Sequence, residues 1–239
     1  MMLIAHRGAS GTAPENTLAA FRQAIKVGAL WLEMDVCSSR DGEIVVIHDD
    51  TLERTTNGRG RVRDCSLAEL KRLDAGSWFH KRFKAERIPT LREALLLARR
   101  SGVGLLIEMK PGTYLDGRFE RDLVRLLERE RMIGKAFVMS FNHSAVGRVK
   151  RIEPRIKTLL LVARRTALSR LLRQIRTHRA DGLSVAARLA DKTLANSLHV
   201  HGKLLITWTV NSLREAKRLT AAGVDGLTTD WPERLGGRG

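Results

Sequence analysis

Short apolar runs alternate with helical periods along almost the whole of this 239-residue chain, and no other feature constrains its fold as tightly. The strand candidates are Met2–His6, Leu30–Ser38, Ile44–His48, Leu105–Lys110, Ala136–Phe141, Thr158–Val162, Gly182–Val185, Leu204–Val210 and Gly226–Thr229. Most are continuously apolar, as parallel strands buried on both faces are. Between them lie helical periods at Thr17–Val27, Leu91–Ala98, Phe119–Arg131, Ser144–Ile152, Leu168–Arg179, Lys192–Leu198 and Leu213–Ala222. Gly28, Gly102 and Gly223 follow three of them as stop signals. Repeated βα units predict a parallel α/β fold. Ile44–His48 reads as the return of a hairpin across Asp41-Gly42, which leaves eight main strands, the count of a (β/α)₈ TIM barrel. The alternative is a doubly wound open sheet, which usually carries a Gly-rich phosphate loop after its first strand. Here the first strand runs into His6-Arg7-Gly8-Ala9-Ser10-Gly11, which lacks G-x-G-x-x-G.

Residues 51–88 break the alternation. They contain Asn57-Gly58-Arg59-Gly60, a short helix near Ser66–Leu73, and Ala75-Gly76-Ser77-Trp78-Phe79. We read them as a small insertion after the second strand and its hairpin, inside one domain spanning 1–239, and as a candidate lid. A composition 43% hydrophobic supports a real core and excludes general disorder. No apolar run approaches the ~18–20 residues of a membrane span. Met1–Ala5 is too short for a signal peptide. Cys37 and Cys65 make neither a disulfide framework nor a zinc spacing, so the expected setting is cytoplasmic. The formal charge is +17, and residues 148–180 hold eleven basic residues against one acid, Glu153. Within them, residues 167–176 form an amphipathic basic helix. The plain reading is an outer helix with a solvated face; the functional one is weak contact with an anionic surface. No base-reading motif is present, so no specific nucleic-acid partner is expected.

A barrel sets its chemistry at the C-terminal ends of its strands. His6 and Arg7 follow the first strand. Glu33 and Asp35 lie in the second at i, i+2, so both carboxylates point to one face. Two such charges repel and are costly to bury without a cation. His48, Asp49 and Asp50 end the hairpin return, Glu108 and Lys110 share a face at the end of the next strand, and Trp208 and Asp230 end later ones. Taken singly, each has a structural reading: satisfied core histidines, a rim ion pair of Glu33 and Asp35 with Arg7 or Lys110, core packing for Trp208, a helix start for Glu15 and Asn16. Together they predict a site. Glu33, Asp35 and Glu108 suit one hard divalent cation, Mg²⁺ or Ca²⁺. Arg7 and Lys110 supply positive charge for an anionic substrate. His6 and His48 divide general base and general acid between them near neutral pH. Such a set describes phosphoryl chemistry.

The same residues fall in an ordered series that resembles the glycerophosphodiester phosphodiesterase family. The series is His6-Arg7-Gly8, Pro14-Glu15-Asn16-Thr17 and Ala20-Phe21, then Glu33-Met34-Asp35-Val36, Asp41-Gly42, His48-Asp49 and Arg54-Thr55-Thr56. Ile88-Pro89-Thr90-Leu91, Glu108-Met109-Lys110, Ser140-Phe141-Asn142, Trp208-Thr209-Val210-Asn211 and Asp225-Gly226 to Asp230 continue it, so that it runs from about residue 3 to 235. The resemblance implies a TIM barrel and hydrolysis of a small-molecule glycerophosphodiester to sn-glycerol 3-phosphate and an alcohol. It implies His6 and His48 as the acid/base pair, Glu33, Asp35 and Glu108 around the cation, Arg7 and Lys110 on the phosphate, and Trp208 beside the substrate. Ser39 stands where the family often has Thr. A second enzyme reading keeps the barrel but acts on lipids as a lysophospholipase D; Trp78, Phe79 and the basic helix favour it. A third is a non-enzymatic polyanion binder resting on the charge alone.

Overall fold

The computed structural model describes residues 1–110 and 117–235; the other residues of the expected 1–239 unit lie outside the described residues. In chain order the elements are β1 (Met2–Ala5), α1 (Leu18–Lys26), β2 (Trp31–Ser38), β3 (Ile44–Val46), α2 (Leu67–Leu70), α3 (Leu91–Ser101), β4 (Gly104–Met109), α4 (Arg118–Arg129), β5 (Ala136–Ser140), α5 (His143–Ile152), β6 (Lys157–Val162), α6 (Leu168–His178), β7 (Gly182–Ala186), α7 (Lys192–His199), β8 (Leu204–Trp208), α8 (Leu213–Ala221), β9 (Gly226–Thr229) and α9 (Pro232–Leu235). β3 folds back antiparallel on β2. The other eight strands pair in parallel in the order β1-β9-β8-β7-β6-β5-β4-β2, and β1 pairs with β2 to close the ring. The fold is a (β/α)₈ TIM barrel, as the alternation predicts.

Side-chain alternation along the strands sorts the core into two shells. Ile4, Leu106, Phe137, Leu159, Leu161 and Ile206 pack together inside the barrel. Leu32, Met34, Val36, Leu105 and Ile107 pack outward against Phe21, Leu95 and Leu123 of the helices. Each such side chain contributes roughly 1.5–3 kcal/mol on full burial. The insertion lies between β3 and α3. It rests on its own apolar base of Val45, Ile47, Leu52, Val62, Leu70 and Ile88. Its re-entry to the barrel explains one motif: Ile88 joins that base, the Pro89 carbonyl accepts from Val46 N–H (2.8 Å), and Thr90 forms a capping box with Glu93 at the start of α3.

Most boundaries shift by one to three residues from the sequence reading, and three of the shifts bear on the insertion or the site. β3 stops at Val46: Ile47 N–H still reaches Asp35 O (3.0 Å), but the chain then bends away through residues 48–50, so His48 lies beyond the strand. The helix expected near Ser66–Leu73 is a single turn, Leu67–Leu70, and β8 ends at Trp208 rather than Val210. Among the described residues no helix is long and apolar enough to cross a membrane.

Gly8 has a geometric reason. Its φ is +82°, and a Cβ there would lie 2.6 Å from the Ala20 carbonyl carbon of α1. Gly8→Ala therefore combines a left-handed backbone with a backbone clash. It is expected to lower stability by about 2 kcal/mol or more, read in a urea melt.

Candidate active site

The barrel's C-terminal mouth gathers the polar residues. His6 N–H extends the β1–β9 ladder by donating to Thr229 O (2.8 Å), and the chain then turns left-handed at Arg7 and Gly8. That turn aims the Arg7 backbone N–H at Glu33 Oε2 (2.8 Å). Asp35 and Glu108 are register partners on β2 and β4, so their side chains meet. Glu33, Asp35 and Glu108 are all buried, and one oxygen from each lies within 4.8 Å of the others. Lys110 Nζ donates to Glu108 Oε1 (2.9 Å) and sits 3.5 Å from Asp35 Oδ1. Arg7 Nε lies 3.2 Å from Asp35 Oδ2, within ion-pair reach but out of line for a hydrogen bond. Asn16 Nδ2 donates to Asp35 Oδ2 (2.8 Å).

The two imidazoles are each held at Nδ1 by a carboxylate. His6 Nδ1 is 2.6 Å from Asp230 Oδ1, and His48 Nδ1 is 2.5 Å from Asp49 Oδ1. With Nδ1 engaged in this way, Nε2 is the nitrogen left for chemistry. Ser10 and Asn211 also donate to Asp230 (2.9 and 2.6 Å).

Charge balance defines what the cluster can hold. Burial and the adjacent Asp35 push Glu33 up to about 8. Burial would also raise Asp35, but Arg7 and Lys110 hold it below the usual carboxylate range. Burial, then Asp35, raise Glu108 despite Lys110. Three carboxylates thus face two cations, and the excess appears as a carboxyl that resists ionising. An all-oxygen donor set with unbalanced negative charge fits a hard divalent ion. At His6, burial opposes the charged form, but the Asp230 hydrogen bond and the charge of Glu33 outweigh it and raise the pKa. Burial would raise Asp230 in turn, but its hydrogen bonds with His6, Asn211 and Ser10 bring it down to about 2. Hydrogen bonds from Arg54 chiefly, and from His48, bring Asp49 to about 2.

His6, Arg7, Glu33, His48, Glu108, Lys110 and Trp208 line one recess of about 410 Å³, with Asp35 buried beneath it. All eight residues singled out in the sequence therefore converge. Sequence reasoning gave no site role to Asp230, Asp49, Arg54 or Phe141, and read Glu15 and Asn16 only as a helix start, whose cap is Thr17. Asp49 had a signal in its adjacency to His48, and Asp230 in its place at a strand end. Phe141 packs edge-on to Trp208, ring centroids 6.0 Å apart.

Fold and recess place the chain among barrel enzymes that act on anionic substrates. The model of the glycerophosphoryl diester phosphodiesterase family matches residues 6–234. Bacillus subtilis YhdW, assigned to that activity, is 42% identical over 236 residues, covering 98% of this chain and 96% of its own. A glycerophosphodiester phosphodiesterase of Caldanaerobacter subterraneus subsp. tengcongensis is 38% identical over 249 residues, with 98% and 96% covered. An Oleispira antarctica phosphodiesterase, solved with its product sn-glycerol 3-phosphate, superposes with a TM-score of 0.93 at 33% identity, over 99% of this chain and 95% of that one. The chain belongs to the glycerophosphoryl diester phosphodiesterase family and is an enzyme of that class.

Proposed function

We propose that the enzyme hydrolyses glycerophosphodiesters to sn-glycerol 3-phosphate and an alcohol in this recess. Glu33, Asp35 and Glu108 hold one divalent cation, Mg²⁺ or Ca²⁺, and His6 and His48 move the protons. One observation carries the reading: two carboxylate-held imidazoles line the same recess as a buried carboxylate cluster and two cationic side chains. The product bound to the Oleispira relative supports the product assigned here.

The cation, when bound, offsets negative charge on the non-bridging phosphate oxygens. Arg7 and Lys110 hold the same group by charge-assisted hydrogen bonds. One histidine takes the proton of the attacking oxygen as that oxygen bonds to phosphorus; the attacker is water, or a substrate hydroxyl whose cyclic phosphate water then opens by the same proton transfers in reverse roles. The bond from phosphorus to the alcohol oxygen breaks, and the other histidine protonates that oxygen. The Trp208 indole N–H is buried without an acceptor among the described residues, which supports it as a donor to substrate. Cys37 and Cys65 are free thiols, consistent with a cytoplasmic setting.

Glycerophosphocholine and glycerophosphoethanolamine are expected to yield sn-glycerol 3-phosphate and the free alcohol in equal amounts. Release of a phosphoalcohol and glycerol instead would overturn the assignment.

A pH dependence follows. Without cation, folded Glu33 at about 8 lies above its ordinary 4.5, so stability is lost as pH rises through that window. A bound cation removes this loss. The cation-induced rise in Tm is therefore expected to be about 5 °C larger at pH 8 than at pH 6. Equal shifts at both pH values in a thermal-shift titration would contradict it.

A further inference from the structure

A second concavity opens on the same face of the barrel, outside its wall. Leu161 of β6 and Ser184 of β7 turn into the catalytic recess, while their neighbours Val162 and Val185 turn outward into a pocket of about 660 Å³. Leu168 and Leu171 of α6 and Leu194 of α7 complete an aliphatic floor. The rim carries Arg164 and Arg165, both exposed and neither in an ion pair among the described residues. Asp191, the acid of the rim, already caps α7 by accepting from Leu194 N–H (2.8 Å). Arg170, Arg173 and Arg176 of α6 are exposed and likewise form no ion pair among the described residues. Upstream in the basic segment, Arg148, Lys150 and Arg155 are paired with Glu120, Asp181 and Glu153, and Arg151 stands at the far end of α5, so most of the surplus charge gathers on α6 and the loop before it. Phe141 and Leu213, 40% and 59% exposed, lie at the same strand-end face, after β5 and at the start of α8.

An aliphatic floor under unpaired guanidiniums complements a molecule with a phosphate head and a hydrocarbon tail. A nucleic acid would satisfy the arginines and leave the floor wet. We propose that this pocket docks the enzyme on an anionic lipid surface, one acyl chain on the floor and the headgroup phosphate on Arg164 and Arg165, with the catalytic mouth turned toward the lipid. The proposal does not depend on which residues catalyse hydrolysis.

Co-sedimentation with phosphatidylcholine vesicles containing about one-third phosphatidylglycerol tests it. Arg164→Ala/Arg165→Ala is expected to weaken binding at least tenfold, since each basic residue at such a surface contributes about a fivefold factor. Leu168→Gln weakens it several-fold. Arg100→Ala/Arg151→Ala, the same charge removed from helix ends at the opposite face, changes it less than threefold. Turnover of soluble glycerophosphocholine stays unchanged throughout. Equal weakening by the two arginine pairs would reduce the effect to diffuse attraction and overturn the proposal. So would an unaffected Leu168→Gln, which leaves only a phosphate site, or loss of single-stranded oligonucleotide binding with vesicle binding intact.

A separate network crosses the mouth of the recess. Arg54, in the insertion, donates to Asp49 through Nε and Nη2 (2.5 and 3.1 Å) and to Glu15 through Nη1 and Nη2 (2.7 and 2.8 Å). Asp49 holds His48, and Glu15 accepts from Arg7 Nη1 (2.9 Å). We infer that Arg54 is a positioning residue that orients His48 and Arg7 together, an inference resting on the roles proposed for those two. Arg54→Ala is expected to lose about 10–100-fold in kcat. Millimolar guanidinium restores part of it, and Arg54→Lys, which lacks the planar fork, falls between. A fall in Tm with no guanidinium rescue would make the residue a structural tie only. Full activity in His48→Ala would instead overturn the underlying reading.

Discussion

His6→Ala and His48→Ala are each expected to lower kcat by about 10²–10⁴-fold, the range of a positioned proton-transfer group. Both side chains sit at the mouth rather than in the apolar core, so the fold should survive. Truncating His6 leaves Asp230 still bonded to Ser10 and Asn211, and truncating His48 leaves Asp49 bonded to Arg54. Near-native Tm with lost turnover is the expected pair of results, and it separates a chemical role from a packing role. Asp230→Asn should cost less than His6→Ala, since the imidazole remains but the Asp230 hydrogen bond and charge that raise its pKa are weakened. Full turnover in either alanine variant would remove the acid/base assignment.

Glu33→Gln is expected to abolish metal-dependent turnover while raising the Tm of the cation-free protein at pH 8. The reasoning is electrostatic. Burial and Asp35 make the ionised form of Glu33 costly when no cation is present, and its pKa rises to about 8. A neutral amide imitates the protonated carboxyl and can still accept the Arg7 N–H, so stability improves where the native carboxylate would be forced to ionise. The same change removes one of three oxygen anions from the cluster. Asp35→Asn should behave differently, because Asp35 balances Arg7 and Lys110. Its loss removes the one carboxylate that both cations share, while Arg7 keeps Glu15 and Lys110 keeps Glu108, and stability is expected to fall. A Glu33→Gln protein that is less stable than wild type at pH 8 in EDTA, or that still gains Tm from the cation as wild type does, would contradict this account of the cluster.

Much of the fold was legible because its signals are local. Apolar runs such as Leu105-Leu106-Ile107, recurring between helical periods, read as strands buried on both faces, and the i, i+2 spacing of Glu33 and Asp35 puts both carboxylates on one face. What stayed hidden is non-local. Asp230 meets His6 across 224 residues of sequence, and Arg54 meets Glu15 across 39; neither pairing has a periodicity or spacing to reveal it. The bend that carries His48 off β3 lies between Ile47 and Leu52, both packed in the insertion's own apolar base. The pocket between α6 and α7 depends on outward-facing Val162 and Val185, which from sequence alone are ordinary strand residues.

The most direct test of the central claim is release of sn-glycerol 3-phosphate from glycerophosphocholine by EDTA-treated enzyme, before and after Mg²⁺ or Ca²⁺ is restored, with His6→Ala beside the wild type. The account predicts no release in EDTA, full release with cation for the wild type, and at least a hundredfold less for the variant. Undiminished release in EDTA, or equal rates for the two proteins, would contradict it.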